Sequence, residues 1–423
     1  ENEALAGRKL YEAWLGCSQK QDASQCMQLL AENKIRTIDW LVADHYGLDK
    51  AWERQLKASL GSKGINPKLL IIDDLADREH EGDLLLDQNF FGHFTQERYQ
   101  RLVTDKCQQL LGPHYALLSP EYAQLHNLVP TRKQLKRVLI FFGGVDKENL
   151  TAQALKALTS PPLNFLAVDV VIGRQSPHRD EIEDLAAKRP LTSLHLNLSS
   201  LAGLISRADL AIGAGGTTTW ERICLKLPSL VVTIASNQIQ FAKSLDKAGY
   251  IKLLGDKTDI TVDKLRSALL EYTAKEIPQL EIGDLTDGWG TSRVVLAMIG
   301  LDKRPCLRPA VSSDKVFLLR WAKEKNKSTI SKIEDSDRSK NCNQIKVIVT
   351  SPNGCPIGYI DIDRKENTAK RHIGIASIDV ALDHCTQPHS LENQLIAPCL
   401  EVIKKTWQDA TYVIERITDT SSN

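Results

Sequence analysis

The chain has 423 residues, 42% of them hydrophobic and 25% charged, and Lys+Arg 54 against Asp+Glu 53 leaves a formal net charge of +1. At about 150 residues per domain this length predicts two or three domains, and the composition excludes both a single small module and disorder as the main state. A balanced charge provides no bulk field for nucleic acid or an anionic membrane, so neither is expected as a partner and any bound anion must be gripped locally.

The cysteines at 17, 26, 107, 224, 306, 342, 355, 385 and 399 include no CxxC pair and no zinc-type spacing. Reduced thiols in a cytoplasmic protein are therefore expected. No apolar run approaches the roughly 18 residues of a membrane span, and no signal peptide opens the sequence. The chain starts at Glu1 and holds only Met27 and Met298, so the natural start is expected upstream.

In chain order, YEAWLGCSQKQDASQCMQLLAENK reads as a loop and an amphipathic helix, without a visible first strand. IDWLVADHY, KLLIIDDLAD and DLLLDQNF read as strands, with a helix of about four turns over LDKAWERQLKASLGSKG. Val/Ile/Leu runs joined by helices predict parallel strands with crossovers. The Pro-bearing stretch SPEYAQLHNLVPTRKQLK places a boundary near 128. A second α/β series follows, with strands RVLIFFGG, LAVDVVIG, SLHLNLS, ADLAIGAGG and SLVVTIA, and a last helical segment that includes TSRVVLAMIG. After Lys303, QIKVIVT, an SPNG turn, CPIGYIDIDR and IASIDVALD predict antiparallel strands of an α+β domain. The expected domains are 1–128, 129–303 and 304–423.

The segment from Ala208 to Leu227 is the most informative. A buried strand runs into Gly213, Ala214, Gly215 and Gly216, and Thr217 or Thr218 then caps a helix. Glycines let backbone approach a ligand, and free amides at a helix start suit phosphate; a tight turn that binds nothing gives the same glycines. Glu221, one turn on, suits the two hydroxyls of a ribose, which points to a nucleotide. The glycines follow the fourth strand of their domain and lack the G-x-G-x-x-G spacing of dinucleotide oxidoreductases, and no P-loop motif occurs. Gly143, Gly144 and Asp146 after the domain's first strand, with Asn237 and Gln238 after its fifth, are expected at the same cleft. Asn237 offers a donor and an acceptor for a sugar hydroxyl or phosphate charge, although it equally suits capping the helix it begins.

Together, Trp40-Leu-Val-Ala-Asp44-His45-Tyr46, Ile71-Ile-Asp73-Asp74-Leu-Ala-Asp77-Arg78, Leu84-Leu-Leu-Asp87-Gln88-Asn89, Gly143-Gly144-Val145-Asp146, Gly213-Ala-Gly-Gly-Thr-Thr-Thr-Trp-Glu221 and Asn237-Gln238 resemble one family over about residues 10 to 300. That family is the UDP-2,4-diacetamido-2,4,6-trideoxy-β-L-altropyranose hydrolase of pseudaminic acid biosynthesis and its relatives. The resemblance implies an α/β fold of two Rossmann-like domains in a glycosyltransferase-B arrangement, the first incomplete here. It further implies a UDP-sugar substrate, attack of water at the anomeric carbon, release of UDP and no cofactor. Carried over by residue, Gly213, Gly215, Gly216, Thr217 and Thr218 hold the diphosphate and Glu221 the ribose. Asn237, as the catalytic candidate, and Gln238 meet the sugar or its phosphates, while Tyr46 faces the cleft from the first domain.

The family's opening G-x-G-H-x-x-R loop, whose histidine is its principal catalytic residue, is absent from this sequence. His45 sits in a different motif and does not replace it, so poor turnover by this chain is expected. Asp73 and Asp74, with Asp77 and Arg78, suit either a magnesium site or local pairing and capping; no metal is expected. The third domain resembles GNAT-type N-acetyltransferases, in Leu307-Arg308-Pro309-Ala310, the Gly354–Asp363 arm and Ile378–Asp383. Its pyrophosphate turn aligns on Gln387-Pro388-His389-Ser390-Leu391-Glu392, where Ser390 and Glu392 replace small residues, so acetyl-CoA is not expected to bind. A sugar transferase on the same fold, and a nucleotide-sugar-binding protein without chemistry, are the alternative functions.

Overall fold

The structure, a computed structural model, describes residues 11–274, 276–280, 285–299, 306–309, 344–350, 356–365, 373–382 and 411–419. The chain divides into two compact units, Glu1–Val294 and Val295–Asn423.

Unit 1 holds two parallel sheets. The first runs β1 (Trp40–Ala43), β2 (Lys68–Ile72), β3 (Leu84–Asp87), β4 (Gln108–Leu111), in that spatial order. Helix α1 (Gln19–Glu32) starts at a Ser18/Gln21 capping box, and α2 (Lys50–Gly61) starts where the Asp49 carboxylate accepts the Ala51 amide. Trp52, Leu56 and Leu60 of α2 pack with Leu69, Ile71 and Leu85 of the strands, so α2 is the crossover that parallel pairing of β1 and β2 requires. The first three strands coincide with the three expected runs. β4 was not anticipated, because QQLL opens with two glutamines and lacks the long apolar run of a doubly buried strand.

The second sheet contains β5 (Arg137–Phe141), β6 (Ala167–Ile172), β7 (Thr192–Leu196), β8 (Leu210–Ala214), β9 (Ser229–Thr233) and β10 (Lys252–Asp256). Its spatial order is β10-β9-β8-β5-β6-β7, all parallel. Side chains alternate between its faces. Val138, Ile140, Val168 and Ile212 meet α4 (Leu150–Leu158), α5 (Arg179–Lys188) and α9 (Val262–Thr273) on one side. Leu139, Val171, Ala211 and Val231 meet α6 (Ala202–Arg207), α7 (Thr218–Cys224) and α8 (Ser236–Lys247) on the other. This is a doubly wound, Rossmann-type α/β sheet, and its strand order reverses between β5 and β8. β10 is the strand that sequence reading missed.

Between the sheets, α3 (Pro120–Leu125) leads to Arg132. Its guanidinium is buried and donates to the carbonyls of Ile205, Ala208, Leu225 and Lys226 at 2.7–3.1 Å. Those carbonyls end α6 and α7, so one cation closes two helix C-termini. Further along, α10 (Gly290–Ile299) begins beside a buried Arg293–Asp287 pair, and Arg293 also donates to the His114 carbonyl at 3.1 Å.

In unit 2, β11 (Cys306–Pro309), β12 (Gln344–Thr350), β13 (Pro356–Lys365) and β14 (Ile373–Leu382) pair antiparallel, and β15 (Thr411–Asp419) adds parallel to β14. The antiparallel pairing of β12 to β14 follows the hairpin grammar of the sequence; the parallel β15 was not anticipated. Ala310, Gly354 and the Gln387–Glu392 turn lie outside the described residues. Among the described residues, no helix is long and apolar enough to cross a membrane.

Candidate functional site

In a doubly wound sheet, ligands bind beyond the carboxyl ends of the strands where the order reverses. Here that point is flanked by the loops after β5 and β8, which carry Gly143–Asp146 and Gly215–Thr217. A cavity of about 240 Å³ lies there, lined by Gly144, Gly173, Asn197–Leu201, Thr218 and Glu221 among others. Two larger cavities, of about 850 and 420 Å³, are lined by residues at the amino ends of strands, Lys136 and Asp209 in one and Ser229 and Lys252 in the other. Size favours them, but position and chemistry favour the smaller one.

Backbone contact shapes that cavity. Gly143 adopts φ +95°, and a Cβ on Gly173 would overlap the Gly144 carbonyl, so these loops meet main chain to main chain. The amides of Gly216, Thr217 and Thr218 have no acceptor among the described residues. Glu221 follows one turn on. Burial holds its carboxyl above the ordinary value, with the Tyr122 hydroxyl opposing most strongly. Among the described residues, neither Glu221 Oε2 nor the Tyr122 hydroxyl makes a well-formed hydrogen bond, although both atoms are buried and the two groups lie close enough to interact. Such orphaned atoms are costly unless a ligand or water meets them.

Other expected residues have work within the protein. Both Asp146 oxygens accept amides of α4, from Leu150 at 3.0 Å and Thr151 at 2.9 Å, so its carboxylate caps a helix rather than facing a ligand. Gly213 lies inside β8, where a Cβ would overlap the Phe141 carbonyl and Arg222 Nη1. Its lack of a side chain serves packing. The Gly215 amide donates to the Val232 carbonyl at 3.0 Å, which leaves Gly216 to open the row of free amides. Gln238 Oε1 accepts the Ile234 amide at 3.0 Å, and its side chain backs Gly215 and Gly216.

Asn237 and Tyr46 come together although 191 positions separate them: Asn237 Nδ2 donates to the Tyr46 hydroxyl at 3.3 Å. That hydroxyl donates in turn to Asp74 Oδ1 at 2.7 Å, and burial raises the tyrosine's pKa. Asn89 Nδ2 donates to Asp74 Oδ2 at 2.8 Å, and Trp220 Nε1 donates to Asn89 Oδ1 at 3.3 Å. A hydrogen-bonded chain thus leaves the second sheet at Asn237, crosses the strand ends of the first, and returns at Trp220, the neighbour of Glu221.

Asp74, Asn89 and Trp220 belonged to recognised motifs without an assigned role. Asp73 instead pairs with Arg78 at 2.7 Å and accepts from the Tyr99 hydroxyl at 2.7 Å, which accounts for the acidic cluster. Arg222 escaped notice altogether. Its buried guanidinium donates to the Ala214 carbonyl at 2.8 Å and Thr219 Oγ1 at 3.0 Å, and burial lowers its pKa to about 10. A cation therefore sits behind the glycine turn; the available signal was an arginine in the otherwise apolar run RICL.

Residues 137–281 match the glycosyltransferase family 28 C-terminal domain. The chain is 24% identical over 237 residues to the spore coat polysaccharide biosynthesis protein SpsG of Bacillus subtilis, covering 56% of this chain and 68% of that protein. It is 29% identical over 133 residues to the pseudaminic acid cytidylyltransferase and UDP-2,4-diacetamido-2,4,6-trideoxy-β-L-altropyranose hydrolase of Helicobacter pylori, covering 30% of this chain and 23% of that protein. Among solved structures, the S. aureus MnaA–UDP co-structure aligns with a TM-score of 0.41 at 13% identity, over 66% of this chain and 78% of that one.

Proposed function

We propose that this chain binds a UDP-sugar at the switch point of its second sheet and acts in surface-polysaccharide biosynthesis by cleaving the sugar from UDP. The observation that carries the reading is Glu221, which lines the cavity beside Gly144 and Thr218 and whose buried Oε2 has no hydrogen-bond partner among the described residues. A carboxylate there accepts from the vicinal hydroxyls of a ribose. The free amides of Gly216 to Thr218 then face the diphosphate, with the Arg222 charge behind them. Asn237 retains its Oδ1 as an acceptor for the sugar, while its Nδ2 is held by Tyr46. In the hydrolytic reading, water attacks the anomeric carbon and gives up its proton to bulk water, the bond from that carbon to the phosphate oxygen breaks, and UDP departs with the electron pair; with no positioned base among the described residues the turnover is slow. The names of both relatives support polysaccharide or nucleotide-sugar chemistry.

A transferase reading is favoured by one finding, the family 28 match over the nucleotide-binding half. Incubation with a UDP-sugar without acceptor separates the two: release of free sugar and UDP supports hydrolysis, and an intact substrate that turns over only with an acceptor supports transfer. For the nucleotide site, Glu221→Ala should weaken UDP binding by about 1–3 kcal/mol, the range for a hydrogen bond to a charged group. Calorimetry that finds equal affinities would remove Glu221 from the ribose. The division at 128 and 303, the cytoplasmic setting and the GNAT-like reading of residues 304–423 complete the proposal.

A further inference from the structure

The Tyr46 ring carries more than its hydroxyl. The Tyr11 ring packs edge-on against it, with centroids 5.0 Å apart, and the Trp14 ring lies 6.4 Å away and tilted by 37°. Tyr11 and Trp14 also meet edge to face at 4.9 Å. Gly47 seats this group: a Cβ there would stand 2.7 Å from the Tyr11 carbonyl oxygen, so any other residue would push the aromatic turn off Tyr46. Yet Trp14 is 59% exposed. An indole offers large apolar area, and leaving it in water contributes little to folding. A single exposed indole is ordinary on a protein surface; this one is set apart by its place in an aromatic cluster with Tyr46, whose hydroxyl meets the Asn237 amide.

We infer that Trp14, braced by Tyr11 and Tyr46, is the aromatic wall of the sugar subsite, and that it takes the C–H face of a hexose while Asn237 meets its hydroxyls. This rests on the nucleotide-sugar reading. A pyranose has the required amphipathic form, with an apolar ring face and a polar rim. A diphosphate has no such face, so Trp14 discriminates UDP-sugar from UDP and leaves UDP itself untouched.

The test measures affinities of the full chain for UDP, UDP-glucose and UDP-N-acetylglucosamine by calorimetry, in the wild type, Trp14→Ala and Trp14→Phe. The wild type should bind at least one UDP-sugar more tightly than UDP. Trp14→Ala should lose about three- to tenfold for that sugar nucleotide, the scale of one aromatic contact, with UDP affinity unchanged, and Trp14→Phe should recover most of the loss. Sugar-dependent tightening that survives in Trp14→Ala overturns the inference, as does a wild type that binds all three ligands equally. A parallel loss for UDP would place the base or phosphates on the indole and also overturn it. A wild type that binds none of the three overturns the nucleotide reading itself, and the inference with it. Because Trp14 is largely exposed, its replacement leaves the fold intact.

Discussion

Asp87, at the end of β3, is buried, and burial pushes its pKa up to about 7 from the ordinary 3.8, with Arg98 at 2.9 Å offsetting only part of the cost. The sign of the pH effect follows. Between those two values the folded protein holds a proton that the unfolded chain has released, so this group's contribution to stability falls as pH rises through that window and is constant above it. Urea melts at about pH 5 and about pH 7.5 measure the loss directly, and Asp87→Asn, which cannot ionise, should show a smaller one. Equal losses in the two proteins would exclude Asp87 as the source. The same burial argument explains why Glu221 and Asp74 rise above their ordinary values, yet the two differ in use. Both Asp74 oxygens are occupied by Tyr46 and Asn89, whereas Glu221 Oε2 is buried with no hydrogen-bond partner among the described residues.

At the scale of elements, the turn from β8 into α7 is built from below. Gly213 lets β8 lie against the Phe141 carbonyl of β5 and leaves room for Arg222, which holds the Ala214 carbonyl. Gly213→Ala would force strand and guanidinium apart, an overpacking cost of about 1–3 kcal/mol. Thermal melts should show this loss, and UDP affinity should fall with it because the turn is displaced. A variant as stable as the wild type would contradict the packing account. Only part of this element was legible beforehand. GAGGTTTWE announced a strand, a turn and a helix, but which glycine keeps a free amide and which serves packing depends on neighbours outside the run, such as Phe141 for Gly213 and Val232 for Gly215.

At the scale of the whole chain, the two sheets of unit 1 are joined by the path from Asn237 through Tyr46, Asp74 and Asn89 to Trp220. Asn89→Ala would leave Trp220 Nε1 without its acceptor and Asp74 Oδ2 without its donor, at about 1–3 kcal/mol for each buried orphan. Hydrogen exchange should report faster opening of both β3 and α7 in this variant, since each loses a bond to the other sheet. Acceleration confined to β3 would show that the path does not couple them. On the proposed GNAT-like reading of residues 304–423, Ser390 and Glu392 take the places of small residues in the pyrophosphate motif, and an acidic side chain repels that anion. Titration of the full chain with acetyl-CoA should give no binding at micromolar concentration, and micromolar binding would reverse that expectation.

Local rules were enough for the class of fold and for most strands. Runs such as RVLIF and SLVVT can be buried on both faces only in a parallel sheet covered by helices, and that condition is written within a few residues. The weaker strands β4 and β10 escaped because pairing partners, rather than their own composition, make them strands, whereas β15, TYVIERITD, was missed although its β-branched and aromatic residues favour a strand. The ordered motifs also marked Tyr46, Glu221 and Asn237 from sequence alone. What only the tertiary structure decided is how these residues are used: Asp146 turned inward to cap α4, Arg222 set behind the glycine turn, and Tyr46 brought to Asn237 across 191 positions. Burial and hydrogen-bond partnership are properties of groups distant in sequence. Periodicity and spacing record which residues can bind, while the fold fixes which of their atoms are already occupied.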